Sequence, residues 1–487
     1  MNTTKLNIPL VIILFAFFYI CQCSGGSGEN SDPYIENATI QGKAGDYTTI
    51  QEAIDAAMDG DTVFVEDGIY KENIDFKGKT ITVKSVNGSD TTTIHGDGSG
   101  SVVTFSSREG IGTLLDGFTI TNGAGTRIEG GSTAGGAIFC FRSSPTITNC
   151  TIDENSAENM GGAIYCNESA VTLTNCVIKK NEAPYGGGFY CIVSSLSITD
   201  STISENNGYA IGGGISIGSS STVEITNCEI TKNKAGSGCA GIYSNDASVT
   251  ITDSQITHNS NNSTSSYNED QYSGGGIECY GGTLMIDNCV ITNNSGGTGS
   301  GLTLAGSVTM SNCTIMHNST DYYGGGIFCH MNYPITITNC IIADNTVRDF
   351  DGGGIHCTQS SSPTIINCTI AENSAEYGGG ISCDYGSSPT VLNCILWGND
   401  ATAGNSEVSI SMSSSIDITF SDVQGGYTGN GNTSQDPLFV NTINGDYRLQ
   451  SGSPCIDIGT AYRAPSHDIS GNSRPQGMGV DFGAYEQ

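Results

Sequence analysis

Between residues 135 and 400 the apolar positions fall into short alternating bursts that recur at a nearly fixed interval. Ten times a run of small residues leads into a brief strand, as in Gly135-Gly136-Ala137-Ile138-Phe139-Cys140, Gly161-Gly162-Ala163-Ile164-Tyr165-Cys166 and Gly324-Gly325-Gly326-Ile327-Phe328-Cys329. The apolar anchor of this strand stands at 138, 164, 189, 215, 242, 277, 302, 327, 355 and 381, a spacing of 25–28 residues apart from one step of 35. That long step holds an insertion over Asn261 to Asp270, read as a surface loop. Each segment then gives a second strand ending in Asn-Cys or a relative of it, such as Thr146-Ile147-Thr148-Asn149-Cys150. A third strand follows, in which an Asn stands three residues after the apolar anchor, as in Ile152/Asn155 and Ile230/Asn233. Alternation of period 2 predicts strands with one buried face. A self-similar interval of this length predicts a stacked array rather than a compact domain.

Three short strands cannot stand alone, because both edges expose unpaired N–H and C=O groups. Stacking like segments pairs those edges in parallel and makes one continuous core column. The Gly runs supply turns with positive φ, and the recurring Asn suits corners in the left-handed region. The expected fold is all-β: a single-stranded right-handed parallel β-helix of about 13 coils, with a short N-terminal capping helix and a C-terminal cap module. At strand spacing it forms a rod on the order of 60 Å long. The expected boundaries are an export signal over 1–23, a tether over 24–45, and the cap and first coils over 46–134. The repeats then run over 135–400, the last coil and linker over 401–434, and the C-terminal module over 435–487.

Composition narrows the function. The chain has 487 residues with 49 Asp+Glu against 17 Lys+Arg, a formal net charge of −32. Binding to nucleic acid rests on Lys and Arg replacing counterions, so that partner is excluded. No cofactor is expected, with Ca²⁺ the one alternative, since the acidic surface disfavours polyuronate ligands unless Ca²⁺ bridges them. Lys5 and the 13-residue apolar run Ile8 to Ile20 read as an export signal, too short for a typical membrane span. Cys21 and Cys23, followed by Ser24-Gly25-Gly26, are candidates for lipidation. Lipid anchoring, plain secretion and an uncleaved membrane anchor all remain open. The location expected is extracellular or on a bacterial outer membrane, with a monomer facing a polysaccharide, a cell-surface glycan, or a host or neighbouring-cell surface.

Seventeen Cys remain beyond Cys21 and Cys23. Bridges within a coil would put Cys191 against Ser201, Cys228 against Ile217 and Cys313 against Leu304, which argues for stacked core thiols behaving as small hydrophobes. Disulfides of an exported chain are the alternative.

In the Ile-x-Cys strand the middle residue is expected to face outward. That column contains Phe139, Tyr165, Tyr190, Tyr243 and Phe328, and a second set before the Gly turns includes Tyr185, Tyr323 and Tyr377. Flat rings with a polar rim suit sugars; otherwise they stack on one another and shield the side of the rod. His330, His356, Asp384 and Glu278 on the later coils are the acid–base candidates, since a His beside a carboxylate can move protons. The enzymatic alternative is a polysaccharide lyase, hydrolase or epimerase, and the other is a purely structural rod. Few cations stand near the aromatic column, and neither paired Asp motifs nor Ca²⁺-binding nonapeptides appear.

Three stretches resemble known families. The Thr48-to-Ala57 run TTIQEAIDAA, Asp59-Gly60-Asp61-Thr62-Val63, Gly68-Ile69-Tyr70 and Glu72-Asn73-Ile74 resemble the N-terminal cap of pectate-lyase-like and pectin-esterase-like β-helix proteins, which implies fold rather than activity. The GGA-apolar strand with its Ile-x-x-Asn step resembles the polymorphic outer-membrane-protein repeat, which implies surface display and adhesion. Gln435-Asp436-Pro437-Leu438-Phe439, Ser453-Pro454-Cys455-Ile456-Asp457, Arg474-Pro475 and Val480-Asp481-Phe482-Gly483-Ala484-Tyr485-Glu486 resemble the choice-of-anchor Q module of exported bacterial β-helix proteins.

Overall fold

The computed structural model describes residues 37–41, 43, 45–261 and 273–487. Cys21, Cys23 and most of the insertion after Asn261 lie outside the described residues. The repeats stack as the spacing predicts. Ile138 pairs in parallel register with Ile164, Ile164 with Phe189, and Phe189 with Ile215. The same column continues through Ile242, Ile277, Leu302, Ile327, Ile355 and Ile381 to Val408. Third strands such as Thr151–Asp153 and Val177–Lys179 build a separate sheet of 14 strands. Their inward Ile152, Ile178, Ile203 and Ile230 are fully buried.

The N-terminal cap is as expected. Helix Ile50–Ala56 starts at Thr49, whose hydroxyl accepts from Glu52 N, and it buries Ile50, Ala53 and Ile54 over the first coils. Strand Ala38–Ile40 adds antiparallel to Thr62–Val65, so the tether expected up to residue 45 ends by Ala38.

The cysteines form two ladders. Cys140, Cys166 and Cys191 are in register on adjacent coils, as are Cys329, Cys357 and Cys383. All seventeen described cysteines are free and buried. Desolvation is the main cause that pushes the Cys150 and Cys176 thiols up, Cys176 to about 11, with the charge of Asp116 adding to it.

The structure divides the Asn positions into two columns with different tasks. The Asn that precedes Cys turns the corner in the left-handed region, with Asn149, Asn175 and Asn227 at φ of 54°, 54° and 53°. The Asn of the Ile-x-x-Asn step does not: the left-handed residue there is its predecessor, such as Glu154, Lys180 or Lys232. Asn155, Asn181, Asn206, Asn233, Asn259, Asn294, Asn318, Asn345, Asn373 and Asn399 instead point inward as a buried amide ladder. Asn206 donates its backbone N–H and its side-chain amide to Asn233 Oδ1 at 3.0 and 3.1 Å, and Asn233 repeats both bonds to Asn259. The ladder ends on the buried carboxylate of Glu407, which accepts from Asn399 Nδ2 at 2.6 Å. A side chain thus supplies the acceptors that the tight corner denies to the backbone.

Residues 435–487 fold back along the rod. Tyr447 and Ala484 pack on Met316, Ile341, Ala343 and Ala371, while Leu449, Cys455 and Phe482 pack on Ile395. Arg474 and Glu486 form a fully buried ion pair at 3.2 Å inside this module.

Candidate functional site

The column of middle residues points away from the core, yet it is not solvent-facing. Phe139 is 9% exposed, Tyr165 6%, Phe328 2% and His356 1%; Tyr190 and Tyr243 are partly buried. This corrects the outward aromatic face expected from strand alternation. The cause lies in a fourth segment of each coil. Short strands such as Glu182–Tyr185 and Asn207–Ile211 pair in a nine-stranded sheet that roofs the outer side of the first strands. The Gly turn makes the roof fit. At Gly161, with φ of 65°, a Cβ would sit 2.4 Å from the Ile164 carbonyl oxygen.

Under this roof the rings stack on one another. Phe139 and Tyr165 lie 5.4 Å apart with planes 13° from parallel, and Tyr165 and Tyr190 lie 5.9 Å apart at 9°. Ala134 and Met160 complete the packing. Such offset pairs add about 0.5–1.5 kcal/mol each beyond burial. Farther along, Phe328 stacks on His356 at 5.5 Å and 5°, and on His330 at 5.9 Å. Tyr323 lies against His356 and Phe350, each at 4.8 Å.

The acid–base candidates do come together in part. His356 Nε2 is 3.5 Å from Asp384 Oδ2, while His356 Nδ1 and Asp384 Oδ1 have no hydrogen-bond partner. Burial lowers the His356 imidazole to about 3 and that of His330 to about 4. Both are therefore neutral at neutral pH. Burial raises Asp384, and raises nearby Asp351 to about 6 with help from Asp384 and Glu376. Glu278, three coils away, is 6% exposed and is pushed by burial to about 8, so it is protonated at neutral pH. It accepts from Gly274 N at 3.3 Å. His330, His356, Asp384 and Glu278 are each buried, whereas Asp351 is partly exposed. Among the described residues no three His, Cys, Asp or Glu side chains converge as metal ligands.

The residues before the Gly turns are the exposed ones. Tyr185 is 37% exposed, Tyr209 54% and Tyr377 39%, while Tyr323 is half-buried. Tyr185 and Tyr209 stand on adjacent coils of the roof, whose strands pair in parallel. The Tyr209 hydroxyl donates to the Glu182 carboxylate one coil away, and this bond pushes the phenol up to about 12. Tyr209, three residues before Gly212, belongs to the same set by its place in the repeat.

Among the described residues no helix is long and apolar enough to cross a membrane. No curated protein matches the chain. Among solved structures, a pectate lyase, Pel9A, is similar at 15% identity and a TM-score of 0.46, covering 71% of this chain and 88% of its own. The A-module of the mannuronan C-5 epimerase AlgE6 from Azotobacter vinelandii is similar at 14% identity and a TM-score of 0.39, covering 80% and 94%. The family described as "Right handed beta helix region" matches residues 67–272 and 212–423, most of the chain, and the in-register coils agree with it: this protein belongs to the right-handed β-helix family.

Proposed function

We propose that this chain is an exported, surface-located β-helix that binds glycan without chemically altering it, through the tyrosines set before its Gly turns. The observation that carries this reading is the division of the aromatic residues. One set is locked in a covered stack, and another, Tyr185, Tyr209 and Tyr377, stands exposed on the roof of the same coils. A ring held half out of the surface by packing beneath it offers a flat apolar face at low entropic cost. Three of the acid–base candidates, His330, His356 and Glu278, are in contrast buried and held in their neutral forms. Surface export and adhesion to a host or neighbouring cell rest on the export signal, the polymorphic outer-membrane-protein-like repeat and the choice-of-anchor Q-like terminus.

The test is migration of the purified protein through gels cast with neutral and acidic polysaccharides, with and without Ca²⁺. Retardation by a neutral glycan that Tyr185→Ala and Tyr209→Ala each weaken supports binding. New unsaturated uronate or chain shortening in the same polymers overturns the non-enzymatic reading. No retardation by any polymer leaves a structural rod.

A further inference from the structure

Among the described residues the roof strands stack in register except at one place. Glu182 pairs with Asn207 and Ala183 with Gly208, but Tyr185 pairs with Ile211, so Pro184 alone stands opposite Tyr209 and Ala210. This is a β-bulge, a device that re-aims a side chain. Pro184 suits it, since a proline brings no N–H to the ladder. The bulged residue Tyr209 is the most exposed tyrosine of the roof, at 54%. The far end of its ring is fixed as well. The hydroxyl reaches back one coil and donates to the Glu182 carboxylate, with the Asn207 side chain beside it. Of Tyr185, Tyr209 and Tyr377, Tyr209 alone is held at its hydroxyl by a protein group.

The next coil leaves the ring open to solvent. It runs Gly236-Ser237-Gly238 past the bulge, where Gly236 N donates to Gly208 O at 3.1 Å and Gly238 N to Ala210 O at 2.9 Å. A Cβ at Gly236 would sit 2.0 Å from the Tyr209 carbonyl oxygen, so that coil closes on the bulge only as glycine, which has no side chain to lie over the ring. A polar row borders the ring. Glu182, Asn207 and Lys234 are in register on three successive coils. Glu182 and Lys234 are exposed and stand about 10 Å apart on either side of Asn207. One carboxylate and one ammonium make this rim locally neutral, in a chain of net charge −32.

We infer that Tyr209 is the stacking platform of a subsite for one neutral hexose, and that Glu182 is its positioning residue; this rests on the glycan-binding reading above. The sugar lays a C–H face on the exposed side of the ring, and its hydroxyls meet Asn207 and Lys234. A neutral sugar fits this rim, because a uronate carboxylate would meet Glu182 and an amino group would meet Lys234. Glu182 acts through the ring it holds. A side chain already fixed at its Cα and at its hydroxyl loses little freedom when a ligand settles on it, and that saving goes to affinity.

The test is migration of the full chain through gels cast with hydroxyethylcellulose, galactomannan or polygalacturonate. The expected result is retardation by a neutral polymer, weakened most in Tyr209→Ala. Glu182→Ala and Tyr209→Phe each weaken it about three- to tenfold, and the double variant is no weaker than either alone. Glu182→Gln keeps an acceptor for the hydroxyl and retains most of the binding. Equal thermal melts check folding. Retardation that Tyr209→Ala weakens but Glu182→Ala and Tyr209→Phe leave unchanged overturns the positioning role alone, as do additive losses in the double variant. Stronger retardation by polygalacturonate than by either neutral polymer overturns the neutral class. No retardation of the unaltered protein by any of the three overturns the glycan reading and this subsite with it.

Discussion

The amide ladder gives the sharpest test of what holds the rod together. Asn233→Ala removes the acceptor for Asn206 N and for Asn206 Nδ2, and it removes the donor to Asn259 Oδ1 and to Ile203 O, the last at 2.9 Å. Asn206 Nδ2 keeps Ile178 O as a partner, but the Asn206 backbone N–H is left buried with none. Four hydrogen bonds at about 0.5–1.5 kcal/mol each sum to about 2–6 kcal/mol, and the orphaned donor adds to that cost. A solenoid loses stability locally, since each coil touches only its neighbours. Peptide-resolved hydrogen exchange over residues 200–240 is therefore the assay, and the sum predicts a fall in protection of roughly 10²–10⁴-fold. Asn233→Asp is the companion variant. It keeps the acceptor for Asn206 but turns carboxylate oxygen toward Asn259 Oδ1 and Ile203 O, so at neutral pH it destabilises as much and recovers on acidification. A change below tenfold in the Ala variant, or no acid recovery in the Asp variant, refutes the ladder as a principal stabilising element.

Four further outcomes follow from buried groups. Glu278 has its folded value raised to about 8 by burial, so it adds a loss of stability as pH rises from about 4.5 to 8, and Glu278→Gln flattens that limb in melts across pH. His356, lowered to about 3, acts with the opposite sign: stability falls as pH drops below about 6.5, and His356→Phe, which keeps the ring stack, reduces that acid loss. Arg474→Met leaves Glu486 buried without its partner, which costs about 3–5 kcal/mol and exposes the segment after residue 435 to limited proteolysis; the double variant Arg474→Met with Glu486→Leu recovers part of the loss. The seventeen described thiols stay unreactive toward a maleimide in the native protein and react after unfolding in denaturant; rapid native labelling of either ladder contradicts their burial.

The period of the repeat, the parallel register and the N-terminal helix were legible in the sequence because each rests on a local pattern: Ile at a 26-residue interval, and Thr49 followed by Ile50, Ala53 and Ile54. The covered aromatic column was not, because alternation separates the two faces of a strand without saying what lies beyond the outer one. A signal was nevertheless present. The same column holds Ser216, Thr303 and Ser382 and a single carboxyl residue, Glu278, whereas the outward positions of the second strands include Glu224, Asp116 and Asp287. A column that avoids Lys and Arg in a surface strand is a column that something covers. The third strands carry the same kind of clue. Their outward positions change from Lys179 and Glu229 in early coils to Ile341, Ala343, Ala371 and Trp397 in late ones, where the C-terminal module lies. The environment of His356 was hidden for a related reason: the roof that stacks Phe328 on His356 also removes the water that would keep the imidazole basic. In this fold the coil repeat sets the scaffold, and the segments folded over its outer faces decide which side chains reach solvent.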